Sequence, residues 1–292
     1  MHLESEAFPP AIASIDDWLK EWPPQMGLKH WQNGKSAKEL AKAWFKNSGP
    51  PAIPPGLRSL LESSPLTREL TIEAVIGEVK VALDAGRPRH ADLVIGGNAA
   101  GVPVLIHIEA KADEEFAKTC EGAWKTALRM DGPASTLPKR MSRLCHLLLG
   151  TNDFEGSLEN MPVQIRHIRY QLLYATAATI LDAVRQGITA AVFVVHELLP
   201  NDMTKPFFRE DGTPRPLLRI KKAQQNAKDF KTFVGALTKG RVNDLPAGEL
   251  IEVGEFAPKH ADWLHLTNSM PVRLLVGKAV DVTEQSPPAA AR

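Results

Sequence analysis

Residues 104–116 read VLIHIEAKADEEF, an apolar run that also carries a histidine, three glutamates, an aspartate and a lysine. The start of this run has the composition of a strand that crosses a protein core. Successive side chains of a strand point to opposite faces, so His107, Glu109 and Lys111 are predicted to share one face and the apolar residues between them the other. This pattern indicates either an ion pair at the rim of a sheet or part of a functional site.

The composition of the chain is that of an ordinary globular protein. It has 292 residues, 43% of them hydrophobic, which is enough for one large domain or for a core with additions. A formal net charge of +1 does not indicate a nucleic-acid binder, so any such role must rest on local charge. The two cysteines, Cys120 and Cys145, lack the spacing of a metal site and are interpreted as buried thiols in a reducing cytoplasm.

No apolar run in the sequence approaches the roughly 18–20 residues that a membrane helix needs. The first eight residues, MHLESEAF, are acidic, whereas a signal peptide begins with basic residues and continues with apolar ones. The sequence therefore predicts a cytoplasmic protein without a membrane partner.

The middle of the chain alternates between strand and helix patterns. The predicted elements are a strand pair over 70–83 turned at Gly77, a hairpin over 91–111, a helix over 164–186 capped by Gly187, and an apolar strand over 189–195. Strands, then a helix, then a further strand indicate an α/β fold, with a mixed central sheet flanked by helices.

The segments around this core are predicted as additions to it. Residues 1–56 form an N-terminal helical extension, in which Ser36 to Glu39 has the form of a capping box and 50–56 that of a rigid proline-rich linker. The core covers 57–240, with a helical insertion at about 112–163 and a last helix near 222–237. Residues 241–292 form a C-terminal segment that ends in a disordered tail from about Thr283.

The hairpin carries the candidate site. If it turns symmetrically about Ala100 and Gly101, Asp92 lies opposite Glu109, and opposed residues on paired strands point to the same face. Two adjacent carboxylates repel one another unless a cation neutralises them, and a divalent ion with oxygen ligands does so well. The sequence therefore predicts a Mg²⁺ or Mn²⁺ site, with Lys111 placed to hold, orient or help deprotonate an attacking water.

This arrangement resembles the PD-(D/E)xK nuclease superfamily, whose restriction-endonuclease-like core places an acid on one strand and the pair (D/E)-x-K on the next. The resemblance implies that Asp92 is the first acid and that Glu109-Ala110-Lys111 is the second element, with the Ala110 carbonyl as a further metal ligand. It also implies that Glu73, in LTIEAV, is the acid often found upstream.

Four segments extend this resemblance over most of residues 30–240. SAKELAKAWF, RHADLVI, IEAKADEEF and RYQLLYATAATIL, in this order, are similar to a little-characterised bacterial domain family of that fold. The resemblance implies that Gln171 and Tyr174, on the helix after the lysine strand, face the substrate; the residues by themselves fit a packed helix face equally well. The chain departs from the pattern in three places. Ala91 stands where proline is usual, and Gln171 and Tyr174 are three residues apart instead of four. About fifty residues also separate Lys111 from that helix, so the middle region is an insertion or an elaboration.

Other polar groups have plainer interpretations. Glu78-Val79-Lys80 is a second Glu-x-Lys, which we interpret as a solvated strand edge whose loss leaves activity nearly unchanged. His107 is interpreted as a hydrogen-bonded core residue. Residues 203–240 contain nine Lys or Arg and three Asp or Glu, so they form either a phosphate-binding surface or a solvated helix face. The phosphate-binding candidates in this stretch are Arg215, Arg219, Lys221 and Lys222.

Two functions follow as hypotheses. The first is a magnesium-dependent phosphodiesterase that cuts DNA, in preference to RNA, in bacterial defence or DNA repair. The second is a binding or regulatory module that keeps the nuclease fold without the chemistry. A homodimer is compatible with either hypothesis.

Overall fold

A mixed sheet of seven strands forms the centre of the described part of the protein. The structure, a computed structural model, describes residues 1–284 except 5, 10, 26, 46–48, 85, 87, 133–134, 152–153, 155–156, 206–212, 215–217, 260–262, 264–265 and 267–269. The strands are β1 (His2–Leu3), β2 (Leu70–Val81), β3 (Arg89–Ala99), β4 (Val102–Lys111), β5 (Ala190–Pro200), β6 (Leu250–Phe256) and β7 (Val272–Thr283).

The strand order across the sheet is β1-β2-β3-β4-β5-β7-β6. Strands β2, β3 and β4 are antiparallel to one another, β4, β5 and β7 are parallel, and β6 returns antiparallel to β7. The mixed α/β class and the hairpin of β3 and β4 are therefore confirmed. Strand β5 is buried along almost its whole length, as its continuous apolar sequence predicts.

Helices cover both faces of this sheet. They are α1 (Ile15–Glu21), α2 (Ser36–Trp44), α3 (Pro55–Glu62), α4 (Cys120–Asp131), α5 (Leu137–Leu149), α6 (Val163–Arg166), α7 (Tyr170–Gln186) and α8 (Arg219–Leu237). Helix α7 ends at Gly187, whose φ of 71° is the left-handed conformation that glycine adopts easily, as the sequence predicts. The predicted helix over 164–186 is thus two helices, because the chain leaves helical geometry between α6 and α7.

The alternation of side chains along β4 separates two cores. Ile106 and Ile108 pack with Trp44 of α2 and the other N-terminal helices, whereas Leu105 packs with residues of α4, α5, α7 and α8. His107 and Glu109 therefore point toward α7, as the two-residue period predicts. The N-terminal helical extension packs on the opposite face of β4. Residues of the extension and of α7 both line the cavity at the end of the strand.

The predicted turn at Gly77 is wrong, because β2 is one continuous strand. A Cβ atom at Gly77 would lie 2.7 Å from ring atoms of Trp22, the C-cap residue of α1, so this glycine allows the close approach of that ring to the strand. The indole contact comes from a residue 55 positions earlier, which a local pattern does not show.

The predicted capping box is also wrong. Helix α2 has Lys35 at its N-cap, and Ser36 is already its first helical residue. Glu39 reaches back past the cap, where its Oε1 accepts a hydrogen bond from the Gly34 amide at 2.8 Å. Ser36 instead donates its amide to Glu114 Oε1 at 3.3 Å, which ties the start of α2 to the end of the β4 region.

The terminal segments take part in the same sheet as residues 57–240. The first segment supplies β1, and residues 241–292 supply β6 and β7. Strand β7 pairs with β5 along eleven positions, so the C-terminal segment completes the interior of the sheet. The predicted disordered tail lies, from residue 285 onward, outside the described residues.

Candidate active site

A cavity of about 390 Å³ lies where β3 begins and β4 ends. Carboxyl and cationic side chains line it, and we call it the acidic pocket. Its charged lining residues are Glu78, Arg89, Asp92, Glu109, Lys111 and Glu114. The sequence predicted Asp92, Glu109 and Lys111, and the structure brings all three to this pocket.

Asp92 and Glu109 lie on adjacent antiparallel strands, as the hairpin argument predicts. Leu93 pairs with Ile108, which puts Asp92 level with Glu109. The Asp92 carboxylate also accepts a hydrogen bond from the Ala110 amide at 2.7 Å. This contact joins the ends of the two strands and fixes the position of the carboxylate beside Glu109.

Both oxygens of Glu109 are occupied by cations or by an amide. Oε1 accepts from Lys111 Nζ at 2.7 Å and from Gln171 Nε2 at 2.6 Å, and Oε2 accepts from Arg89 Nη2. Gln171 is itself oriented, because its Oε1 accepts from the Ala117 amide at 3.0 Å. The first turn of α7 therefore positions Gln171 against the carboxylate, and the structure brings this predicted residue to the pocket.

Burial and the neighbouring charges both shift the pKa values of the pocket. Burial raises the pKa of Asp92 well above its usual range, and repulsion by Glu109 adds to this shift while Lys111 opposes it. Burial disfavours the charge of Lys111, but attraction by Glu109, Glu114 and Asp92 outweighs it and raises the lysine pKa. Lys111 therefore stays an ammonium group, and it is a hydrogen-bond donor.

Glu78 is a member of the pocket that the sequence interpretation missed. Gly77 pairs with Leu93 and Val79 with Ala91, so Glu78 is level with Asp92 on the neighbouring strand. Its φ is 52°, in the left-handed region that non-glycine residues seldom adopt. Burial raises the pKa of Glu78 to about 7. A hydrogen bond from the backbone of Gln25 opposes this shift, and repulsion by Glu109 adds to it.

At Glu78, which has the left-handed backbone conformation, the alternation of side chains between the two faces of the sheet is reversed. Val75 and Leu93 pack in the core under the N-terminal helices, but Val81 and Ala91 pack in the other core, although all four positions are odd-numbered. The side change falls at Glu78 and Asp92, and it directs both carboxylates into the pocket. The interpretation of Glu78 as a solvated edge residue is therefore wrong, while Lys80 is exposed as expected.

Glu73, the predicted upstream acid, does not line the acidic pocket. Its side chain is exposed, next to an irregularity between Ile72 and Ala74 in the pairing with β3. Glu78 takes the third position because it is five residues nearer the end of β2 at which the pocket lies.

Tyr174 and His107 have contacts that fit their predictions. Tyr174 lines the pocket, stacks on Tyr170 with ring centroids 5.5 Å apart, and has the Arg140 guanidinium 5.3 Å from its own centroid. His107 is fully buried, and its Nε2 lies 2.8 Å from Asp182 of α7. Burial lowers the pKa of His107, so it is a neutral core histidine, as interpreted from the sequence.

The described residues of the basic stretch 203–240 do not line the acidic pocket. Arg219 is only 3% exposed, and Lys222 donates to the backbone oxygen and the carboxylate of Asp113 at 2.8 and 3.1 Å. Lys221 is exposed on α8, and Arg215 lies outside the described residues. The prediction that Arg219 and Lys222 present free charge to phosphates is therefore not supported, because the acidic groups beside them were not visible in the local sequence.

A second cavity, of about 860 Å³, lies between the C-terminal ends of α5 and α8 and strand β6. We call it the basic cleft. Its basic lining residues are Lys139, Arg143, His146, Lys239, Arg241 and Lys259. Among the described residues of the lining, Glu255 is the one that is acidic, and the rings of Phe256 and Trp263 also contribute to the cleft.

The described residues contain no cluster of three or more His, Cys, Asp or Glu side chains arranged to hold a metal ion. The donors at the acidic pocket are two strand carboxylates, Asp92 and Glu109, with the backbone of Ala110 between them. Glu78 is level with Asp92 on the next strand. These are the hard oxygen donors that Mg²⁺ and Mn²⁺ prefer. Burial raises the pKa of Asp92, and the neighbouring Glu109 carboxylate adds to this shift.

The fold and the pocket define a mixed α/β protein with a buried acid-and-lysine site. The chain belongs to the family described as "Domain of unknown function (DUF6946)", which matches residues 11–266. Neither the curated proteins nor the solved structures include a match to the chain. Among the helices of the described residues, none combines the length and the apolar character needed to cross a membrane.

Proposed function

We propose that this protein is a metal-dependent phosphodiesterase of the PD-(D/E)xK type that acts on DNA, in preference to RNA. The observation that supports this proposal best is the convergence of Asp92, Glu109 and Lys111 on one pocket, at the ends of adjacent strands. Gln171, from the helix after the lysine strand, binds the central carboxylate. Residues from three segments of the sequence resemblance, on β3, β4 and α7, therefore meet in one place.

The donor set fits a divalent ion of the magnesium type. Asp92 and Glu109 would hold Mg²⁺ or Mn²⁺, with the Ala110 carbonyl as a further ligand. When bound, such an ion polarises a phosphoryl oxygen and lowers the pKa of a coordinated water. The closeness of the two carboxylates supports this role: burial and, after it, repulsion by Glu109 raise the pKa of Asp92, and a divalent cation would relieve that repulsion.

The side chains divide the remaining work by their protonation states. Lys111, whose pKa is raised, is a donor that orients the attacking water and stabilises negative charge on the phosphate. Glu78 has a pKa of about 7, so it can accept a proton from water or return one near neutral pH. We therefore assign the proton-transfer role to Glu78, in place of Glu73.

A nucleic-acid substrate is supported by the basic cleft. Neutralised phosphates supply much of the affinity of proteins for nucleic acid, and the cleft gathers five Lys or Arg residues in a nearly neutral chain. Defence against foreign DNA and DNA repair both fit such an activity. The proposal places the protein in the cytoplasm, which agrees with the two free, buried cysteines.

The DNA assignment predicts a change in the salt dependence of binding. Replacing Lys139 and Lys239 by glutamine should weaken DNA binding and reduce the slope of log K against log salt by about 0.9 for each phosphate that is no longer neutralised. The matched control replaces Lys20 and Lys125, exposed lysines that line neither cavity, and should leave the slope unchanged. Equal slopes for wild type and the cleft variant would remove the cleft from the DNA-binding surface.

A non-catalytic binding module is the second candidate function. The occupation of both Glu109 oxygens by Arg89, Lys111 and Gln171 favours it, because a carboxylate in an internal ion-pair network needs no metal.

Cleavage assays separate the two functions. Purified protein is incubated with supercoiled plasmid, single-stranded and double-stranded oligonucleotides and RNA, in Mg²⁺, in Mn²⁺ and in chelator. The phosphodiesterase predicts cleavage of DNA with either ion and none in chelator. Absence of cleavage on every substrate, together with absence of divalent-ion binding, would favour the module.

A further inference from the structure

Arg89 is an unusual neighbour for a carboxylate that is expected to bind a metal. It is the first residue of β3, and it is 5% exposed. Its Nη2 donates to Glu109 Oε2, while its Nη1 is buried and has no hydrogen-bond partner within the described part of the chain. A buried donor without a partner destabilises a fold, so its retention calls for a physical reason.

Arg89 places its positive charge at Glu109, where it would compete with a metal ion for the carboxylate. Lys111 and Gln171 share Oε1 of Glu109, so Oε2 is held by Arg89 alone among the hydrogen bonds of the described residues. Asp92, beside it, accepts from a backbone amide. Asp92 and Glu109 would hold a divalent ion, and at Oε2 that ion would meet the positive charge of the Arg89 guanidinium. Because like charges repel, the ion would bind more tightly if Arg89 left this oxygen.

The unpaired Nη1 indicates where the guanidinium could go. Arg89 lines the acidic pocket together with Lys111, and guanidinium groups bind phosphate through two parallel N–H donors. Moving from Glu109 to a phosphate oxygen would give both terminal nitrogens an acceptor. The group keeps its charge throughout, because arginine is not deprotonated in proteins.

We propose that Arg89 is an exchangeable cation: it holds Glu109 in the metal-free protein, yields the carboxylate to the divalent ion, and then binds a phosphate oxygen of the substrate. This inference rests on the proposed function. It makes Arg89 a substrate-binding residue and explains how one pocket can be stable both without and with its metal.

The proposal predicts opposite effects of one substitution on two measurements. In Arg89→Met the competing cation is gone, so Mn²⁺ should bind more tightly, by about tenfold if Arg89 occupies Glu109 nine-tenths of the time. A short DNA duplex should bind more weakly in the presence of Mn²⁺, by about tenfold or more, because a charged hydrogen bond to phosphate is removed. A merely structural ion pair would weaken both.

The experiment measures Mn²⁺ affinity by calorimetry with nucleic acid absent, and duplex affinity in a Lys111→Ala background so that cleavage does not interfere. Arg89→Lys is the second variant: it keeps a positive charge beside Glu109, and it should stay close to wild type in Mn²⁺ affinity but lose duplex affinity. The control is Lys80→Met, which removes a nearby exposed charge without touching Glu109. Circular dichroism verifies that each variant is folded.

The outcomes distinguish this inference from the proposed function. Tighter Mn²⁺ binding by Arg89→Met with weaker duplex binding supports the exchange, as does Mn²⁺ binding that only the variant shows. If folded Arg89→Met binds Mn²⁺ no more tightly than wild type does, the exchange is overturned and the proposed function stands. Absence of Mn²⁺ binding in wild type and in both Arg89 variants overturns the two together.

Discussion

The two Glu-x-Lys segments of this chain have the same spacing and different structures. Glu109-Ala110-Lys111 ends β4, and Glu78-Val79-Lys80 lies in β2; each of these strands is hydrogen-bonded to β3. In β4 the alternation is regular, so glutamate and lysine share a face and their charged atoms lie 2.7 Å apart. In β2 the glutamate has a φ of 52°, so it turns into the acidic pocket while the lysine stays exposed.

The comparison shows that Glu-x-Lys spacing predicts a shared face for the two side chains only where successive residues of the strand alternate regularly between the faces. The two glutamates also differ in the surroundings of their carboxyl groups. Glu109 is held by three donors, whereas burial and repulsion raise the pKa of Glu78 to about 7. One pocket therefore contains a fixed carboxylate and a carboxyl group that can change its protonation near neutral pH.

The largest expected difference is between the two lysines. Lys111→Ala should lower DNA cleavage by about a hundredfold or more, because it removes the donor that orients water and stabilises charge on the phosphate. Lys80→Ala should stay within a few-fold of wild type. Both are measured as initial rates of plasmid cleavage in Mg²⁺. A loss in Lys80→Ala as deep as that in Lys111→Ala would break the comparison.

A smaller effect is expected on stability when Glu78 is replaced by glutamine. The folded-state pKa of about 7 exceeds the ordinary value of 4.5, so between these pH values the folded chain holds a proton that the unfolded chain has lost. The stability of wild type should therefore fall as pH rises through this window. In Glu78→Gln this loss is absent. The melting temperature of the variant minus that of wild type should therefore increase by a few degrees between pH 4.5 and pH 7.5.

Thermal melts in chelator, at a series of pH values, measure this difference. Lys80→Gln is the control on the same strand and should parallel wild type. A constant offset between wild type and Glu78→Gln across the whole range would show that Glu78 titrates as an ordinary surface carboxyl group.

The smallest expected effect concerns the backbone at Glu78. A left-handed conformation costs an L-residue about 1–2 kcal/mol relative to glycine. Glu78→Gly should therefore unfold with a higher free energy than Glu78→Ala, by about 1 kcal/mol, in denaturant titrations in chelator. The reference pair is Val79→Gly and Val79→Ala, where glycine should be the less stable. The same order at both positions would contradict the left-handed conformation.

Much of the site was predictable because β4 obeys the two-residue period. Asp92, Glu109 and Lys111 followed from an apolar strand, a symmetric hairpin and opposite charges. Glu78 was not predictable, because nothing in the residue type of a glutamate announces a positive φ. Arg89 was missed since an arginine at the start of a strand ordinarily lies in solvent, and only the folded chain places it beside Glu109.

The fold was predictable for a related reason. The apolar run of β5 and the amphipathic pattern of α7 are local signals, and both elements were found. The role of Gly77 depends on Trp22, and the burial of Arg219 depends on acidic groups from other segments, so each needs contacts between distant parts of the chain. Strand β7 was missed because its sequence lies in a C-terminal segment that was interpreted as an addition to the core.

Divalent-ion binding by wild type and Asp92→Asn tests the central claim most directly. The variant keeps the shape of the side chain and removes its charge, so the account predicts saturable Mn²⁺ binding by wild type and an affinity at least about tenfold lower in Asp92→Asn. Calorimetric titration of both metal-free proteins at pH 7.5 measures this. The same dissociation constant for the two proteins, or heats no larger than dilution for both, would contradict the account.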